Sequence, residues 1–194
     1  MQGLNPIFTV LEAYWWQLQE RREKDAERLG VKPALVPLRK SFEPFKIPEV
    51  LPHITLLELD ENNVMHSRLV GSGLENVVPV LPKRLSLAIS PVDVWHGFVK
   101  PHKTLFETPC GLRFENHTVL SNRQSFIMNR FSLPFADLDG RIKYVISASM
   151  PDEKFITRPS MTTEVVHLTV KTLFYVDLGY GVPATDSAST GSVA

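Results

Sequence analysis

The sequence has little cysteine and no excess of charge of either sign. Cys110 is its only cysteine, so an intramolecular disulfide is impossible and the cysteine ligand sets of zinc ribbons are excluded. The 21 basic residues equal the 21 acidic ones, whereas a nucleic-acid-binding domain normally carries a basic excess. We therefore expect no nucleic-acid partner. A net charge of zero also gives weak protection against self-association, and a homodimer is expected.

Long hydrophobic runs are absent too. No apolar segment approaches the roughly 20 residues that span a bilayer. The start of the chain, residues 1–6, lacks the basic region and apolar run of a signal peptide. Together with the single cysteine, this predicts a soluble cytoplasmic protein without a membrane span. The 43% hydrophobic content over 194 residues predicts one globular domain with a sizeable core.

The first 52 residues predict a helix followed by an extended segment. Asn5 is a suitable N-cap, Pro6 suits the first helical position, and Gly30 supplies a stop. Within the N-terminal segment 1–30, one amphipathic helix is therefore predicted over residues 6–29. Five prolines then exclude a long helix or a central strand from residues 31–52. We call this segment the connector and expect it to run over the surface.

Residues 53–150 carry most of the β signal and form the predicted core. A polar turn at residues 60–63 separates two strands, which predicts a hairpin. Prolines interrupt residues 73–105 and favour short helices there. The predicted strands are residues 54–59, 64–72, 111–120, 125–135 and 141–149, and the candidate helical pieces are residues 85–89 and 93–100.

The last part of the chain leaves two possibilities open. Alternation within residues 151–180 predicts either a sixth strand or an extension that pairs with another subunit. Residues 181–194 are small and polar and should form a disordered tail.

This element order predicts the fold class. A hairpin, a helical crossover and a three-strand meander give a five-stranded antiparallel sheet with short helices on one face, an α+β architecture. The amphipathic helix is added at the N-terminus. This is the element order of a PAS domain.

Several short motifs strengthen that comparison. Residues 47–54 lead into Leu56-Leu-Glu-Leu-Asp60, and Ser67-Arg-Leu-Val-Gly-Ser-Gly73 is similar to a "YRLVGT" strand ending. Leu133-Pro-Phe-Ala-Asp-Leu-Asp-Gly140 is similar to an "LPL…DG" hairpin, and Trp15 and Trp16 fit the first helix. Over residues 10–150 the chain thus resembles a family of stand-alone bacterial PAS-like proteins. The resemblance implies a sensory or regulatory role in signal transduction, without catalysis.

In a PAS fold the ligand cavity lies between the helical crossover and the central strands. The residues that would line it here are Trp95, Phe98, Phe106, Phe126, Met128 and Phe131, with His66, Arg68 and Asn129 as polar candidates. Ordinary core packing explains the aromatic residues equally well. Arg68 alternates among apolar positions and requires a carboxylate, either a ligand's or that of Glu58 or Glu115. The cofactor is unknown.

No catalytic pattern emerges from the sequence. Gly71-Ser72-Gly73 is followed by Asn76 where a dinucleotide motif needs glycine, so a tight strand exit is the better interpretation. His96 and His102 could approach each other to bind a metal or haem, but surface histidines are the commoner outcome. Cys110 lies in a turn with no evident activating base, which favours a structural thiol.

Three functions remain open at this stage. The first is a PAS-like sensor that binds a small molecule and signals to a separate protein, such as a kinase or regulator. The second is a dimerisation or interaction module with a filled core, for which Tyr14, Trp15 and Trp16 are candidate partner-binding residues. The third is a small enzyme on a cone-shaped α+β fold, which needs an acid/base pair in an apolar cavity.

Overall fold

The structure is a computed structural model that describes residues 5–75, 84–85, 92–152 and 165–183. Of the candidate helix at residues 85–89 the structure describes Leu85 alone, which lies in a strand and not in a helix. The rest of that segment and most of the predicted tail at residues 181–194 lie outside these ranges.

The N-terminal segment forms two helices. Helix α1 spans Pro6–Glu20 and α2 spans Arg22–Leu29. As predicted, Asn5 caps α1 by accepting a hydrogen bond from the Ile7 amide at 3.0 Å, and Gly30 ends α2 in the left-handed conformation. The single predicted helix is instead broken at Arg21, whose side chain pairs with Asp25 on α2 and with Glu43 of the connector.

The sheet is antiparallel and larger than predicted. Its strand order is β3-β2-β1-β6-β5-β4-β7. Strand β7, predicted as either a sixth strand or an extension, pairs with β4 inside this chain, so the predicted count of five strands is wrong. The strands are β1 (Ile54–Leu59), β2 (Met65–Val70), the two-residue β3 (Arg84–Leu85), β4 (Gly111–Leu120), β5 (Ser125–Ala136), β6 (Ile142–Pro151) and β7 (Val165–Val176).

The crossover between β2 and β4 contains a short helix α3 (Ser72–Glu75) and a 16-residue helix, α4, over residues 92–107. The sequence predicts a helical piece only over residues 93–100, because Pro101 interrupts the segment there. A π-helical turn at Trp95–Val99 precedes the α-helical Lys100–Glu107. Proline has no N–H to donate, and it is tolerated at the first turn of this α-helical section.

Helices α1 and α4 cover opposite faces of the sheet. Helix α1 and the connector pack on one face, which we call the α1 face, against Phe131, Leu133 and Phe135 of β5. Helix α4 packs on the other, the α4 face, against Leu112 and Phe114 of β4. Successive strand residues point to opposite faces, so every second residue of β4, β5 and β6 faces α4. The connector holds three single 3₁₀ turns: Arg39–Ser41, Pro44–Lys46 and Leu51–His53.

Candidate functional site

The α4 face carries a group of buried polar side chains in the middle of an otherwise apolar layer. They come from the three central strands and from α4, and we call them the polar cluster. Each is at most 4% exposed, so each must find its hydrogen-bond partners within the protein. The polar cluster consists of His102, Asn116, Thr118, Arg130, Ser132, Ser147 and Ser149.

His102 connects α4 to the sheet. Its Nδ1 lies 2.7 Å from the carbonyl oxygen of Phe98, one helical turn earlier, and its Nε2 lies 3.1 Å from Oγ of Ser132. A carbonyl only accepts, so Nδ1 carries the proton and Nε2 accepts from a serine hydroxyl. Burial lowers the pKa of His102 to about 3, and the nearby Arg130 charge acts in the same direction. The imidazole is therefore neutral at physiological pH.

The two serines that face His102 are neighbours across β5 and β6. Ser132 and Ser147 are directly paired in the ladder, and their hydroxyl oxygens are 2.7 Å apart. Oγ of Ser147 also lies 3.4 Å from Nε2 of His102. This triangle resembles a serine–histidine dyad in composition, but it has no exposed surface. Nδ1 of His102 is bonded to a backbone carbonyl, and among the described residues no carboxylate orients the imidazole, as nucleophilic catalysis would require.

Arg130 is the unusual member of the polar cluster. Its Nη1 donates to Oγ of Ser149 at 2.8 Å, and its Nε donates a longer bond to Oδ1 of Asn116 at 3.4 Å. The guanidinium carbon lies 5.1 Å from the ring centre of Phe98 and 5.8 Å from that of Phe114. Asn116 is held in turn by Thr118, whose hydroxyl accepts from its amide at 2.6 Å.

All these partners are neutral. None of the ion pairs among the described residues includes Arg130. Burial lowers its pKa to about 10, so the guanidinium still carries its charge at pH 7. A buried charge normally has a counter-charge, because neutral hydrogen bonds compensate its desolvation only in part. The chemistry that Arg130 suits is the reception of an anionic group.

The structure divides the predicted ligand-binding residues between the two faces. Phe98, Phe126 and Met128 are buried on the α4 face, the first against Arg130 and the other two in a small cluster with Leu120. Trp95 is half-buried at the start of α4, and Lys103 lies over its ring. Asn129 and Phe131 alternate onto the α1 face, so they do not join this group.

His66 and Arg68 lie on β2 and pair within the hairpin. Nε2 of His66 is 2.7 Å from Oδ2 of Asp60, and this hydrogen bond lowers the pKa of the Asp60 carboxyl. Nε of Arg68 donates to Glu58 at 2.6 Å. The alternation predicts a buried or half-buried Arg68, and its side chain is 50% exposed. Of its predicted partners, Glu58 is the one that it contacts.

The three candidate partner-binding residues of α1 have different environments. Trp15 is fully buried and donates from Nε1 to the carbonyl oxygen of Pro134 at 2.9 Å. Tyr14 is also buried, and its hydroxyl bonds to the backbone of Glu43. Trp16 is 38% exposed and packs edge-on against Trp15. Of the three, only Trp16 presents substantial surface to a partner.

The remaining candidates do not form a reactive centre within the described ranges. His96 is exposed, while His102 is enclosed in the polar cluster. No group of three or more potential metal ligands occurs among the described residues. Cys110 is buried, and burial raises the pKa of its thiol to about 11. No helix in the described part of the chain is long and apolar enough to cross a membrane.

The sequence predictions do not include Arg130. A signal is present, because Phe126, Met128, Arg130 and Ser132 occupy alternate positions of one strand, which places the arginine on the same face as large apolar residues. The same alternation favours Arg68 on β2, but its side chain is half exposed. Alternation places a side chain on a face but does not tell how deeply an adjacent helix covers it.

Comparisons with known proteins identify no relative. No protein-family model, no curated protein and no solved structure matches this chain.

Proposed function

We propose that the chain is a non-catalytic, PAS-like sensor or regulatory domain that binds a small anionic molecule beneath α4. The observation that carries the proposal is the fully buried Arg130, which has only neutral partners among the described residues. An anionic ligand would supply the missing counter-charge.

The sheet order supports the PAS-like part of the proposal. The five strands predicted from sequence lie in the order β2-β1-β6-β5-β4, with the helical crossover on the face that carries Arg130. This order results when the first strand of the hairpin, β1, pairs with the last strand of the meander, β6. In a PAS domain the ligand cavity lies between such a sheet and its crossover helices. The signal would leave through contact with a separate signalling protein.

Native mass spectrometry of the freshly purified full-length protein tests the proposal. We expect a mass excess that disappears on denaturation and that is also absent from Arg130→Met. Arg113→Met is the matched control, because Arg113 lies on the neighbouring strand with its side chain on the opposite face, paired with Glu12. Circular dichroism establishes that both variants are folded. A bare mass for the wild-type protein, or an excess that persists in Arg130→Met, would contradict the proposal.

A second function is favoured by the exposed apolar groups near the α1 face. Trp16 is 38% and Phe174 52% exposed, and Phe174 pairs across the ladder with Arg113, which contacts α1. An interaction module that dimerises through this surface would show a bare mass at twice that of the monomer. Phe174→Glu would then give monomers, whereas Leu138→Glu, at a similarly exposed position in a turn, would not.

A further inference from the structure

A cavity of about 320 Å³ lies on the α1 face, between the connector and the base of the β1–β2 hairpin. Its volume is at the lower end of the range for small-molecule sites. Most of its wall is hydrocarbon, supplied by Phe42, Leu51, Ile54, Leu56, Leu69 and Ile146. The polar cluster lies on the other face of the sheet, so this cavity is separate from the site proposed above.

Backbone contacts hold the wall of the cavity in place. The Gly71 amide donates to the carbonyl oxygen of Ile54 at 2.7 Å, which fixes the end of β2 against the start of β1. A side chain at Gly71 would collide with the carbonyl oxygen of Leu51 in the last 3₁₀ turn of the connector. The connector and the hairpin therefore meet through main-chain atoms at Gly71, and the glycine adds no side chain that could fill the cavity.

One cationic side chain, Arg39, reaches the cavity. Its Nε is buried and has no hydrogen-bond partner, and the guanidinium lies 5.6 Å from the ring centre of Phe42. Arg39 forms no ion pair with a described carboxylate. The backbone before it is anchored, because the Ala136 amide donates to the carbonyl oxygen of Pro37 at 2.9 Å. A buried donor without a partner is unfavourable, and an incoming acceptor relieves it.

The charged groups around Arg39 leave its guanidinium available to bind a ligand. Arg39 also borders a surface groove with Lys40, Asp137, Leu138 and Tyr144. Oδ1 of Asp137 accepts from the Asp139 amide at 2.6 Å within its own turn. Lys40 is a second cation at this groove, and neither Asp137 nor Asp139 of the same turn forms an ion pair with Arg39.

We propose that this cavity binds a small amphipathic carboxylate, such as a medium-chain fatty acid. Its hydrocarbon part would lie against the apolar wall, and its carboxylate would pair with the guanidinium of Arg39. Arginine suits this group because its planar donors can bind both carboxylate oxygens. Leu69, which is 45% exposed at the rim, would be covered by the bound chain. One cation at the wall of an apolar cavity matches a ligand with one negative charge and one apolar body.

Titration of the full-length chain with decanoate tests this proposal, with binding followed by methyl NMR and calorimetry. Decanol and decyltrimethylammonium have the same alkyl chain without the negative charge. Decanoate and decyltrimethylammonium are used below their micelle-forming concentrations, and decanol is used below its solubility limit. We expect decanoate to bind most tightly and to shift the methyl signals of Ile54, Leu56 and Ile146. Equal affinities for decanoate and decanol, or shifts confined to Leu112 and Val145 on the α4 face, would overturn the proposal.

Variants separate the charge from the cavity. Arg39→Gln should weaken decanoate binding about tenfold, as expected for the loss of a charged hydrogen-bond donor, and leave decanol binding unchanged. Lys32→Gln is the charge-matched control, at an exposed position of the connector that lines neither the cavity nor the groove, and should have little effect. Leu69→Glu, which places a negative charge at the rim, should abolish decanoate binding. Unchanged decanoate affinity in Arg39→Gln would overturn the assigned role of Arg39, and Arg130→Met should bind decanoate normally.

Discussion

The two faces of the sheet are stabilised by different chemistry. On the α1 face, aromatic and aliphatic side chains interlock, and Trp15 contributes a single polar bond, to the Pro134 carbonyl. On the α4 face, hydrogen bonds from His102 and Arg130 cross three strands beneath the helix. Apolar packing depends on volume, whereas a polar network depends on geometry and protonation. The α1 face should therefore determine stability, and the α4 face should determine its response to pH and ligands.

Removing Trp15 should have the largest effect on stability. Trp15→Ala deletes a fully buried indole and leaves the Pro134 carbonyl without this donor. We expect the free energy of unfolding to fall by about 3–5 kcal/mol, as for other large-to-small core substitutions. Denaturant unfolding followed by circular dichroism measures the change. Trp16→Ala is the control next to it and should cost about 1 kcal/mol, mainly the edge-on aromatic contact. Equal losses in the two variants would show that α1 does not dock as described.

His102 should make stability depend on pH. Burial lowers its pKa from 6.5 to about 3 in the folded protein. Between these two values the unfolded chain binds a proton that the folded chain does not. The free energy of unfolding should therefore fall by about 1.4 kcal/mol for each pH unit below 6.5, and the contribution should be flat above it.

Unfolding measured in denaturant between pH 7.5 and 5 tests this dependence. His102→Gln should be less stable at pH 7.5 but should lose less stability on acidification than the wild-type protein. His96→Gln removes an exposed histidine on the same helix and should leave the slope unchanged. Parallel pH profiles for the wild-type protein and His102→Gln would contradict the assignment of a buried neutral imidazole.

The difference between the faces also explains what the sequence could predict. The alternation of Leu112, Phe114, Thr118 and Leu120 predicts both β4 and the face that it buries. Apolar side chains must be buried whichever element covers them, so this prediction does not require the position of the neighbouring helix. The polar cluster depends on which residues meet across strands that are far apart in sequence. Nothing in the sequence around Ser132, Ser147 or His102 indicates that these three side chains meet. Alternation cannot report register.

Helix boundaries were the other weak point. Arg21 has good helix propensity, yet α1 ends just before it, and its side chain pairs with Asp25 of α2 and with Glu43 of the connector. Pro101 suggested an end to α4, but the π-helical turn before it allows the helix to continue. Local propensity alone predicts neither the break at Arg21 nor the continuation of α4 through Pro101. Predictions from local propensity therefore located the longer strands and the main helices but misplaced the helix ends.

The π-helical turn should be sensitive to small changes in volume. Gly97 packs against Leu168 of β7 so closely that a methyl group would collide with the leucine side chain. Gly97→Ala should lower the free energy of unfolding by about 1–3 kcal/mol, since overpacking displaces neighbours. The double variant with Leu168→Ala should lose less than the sum of the two single variants, as measured by a denaturant double-mutant cycle. Strict additivity would mean that the two residues do not touch.

The smallest expected effect concerns the ion pair between Glu12 of α1 and Arg113 of β4. Nη2 of Arg113 lies 2.6 Å from Oε2 of Glu12, both side chains are at least three-quarters buried, and the guanidinium also stacks on Phe131. Glu12→Gln keeps the shape and a hydrogen-bond acceptor but removes the charge. We expect a loss of about 1 kcal/mol, because partial burial limits screening while the stacking remains. Glu23→Gln, in a pair whose carboxylate is 74% exposed, should cost close to nothing. Salt screens exposed ion pairs more than buried ones. The difference between the losses in Glu12→Gln and Glu23→Gln should therefore persist at high salt. If that difference disappears, the Glu12–Arg113 pair contributes no more than an ordinary surface contact.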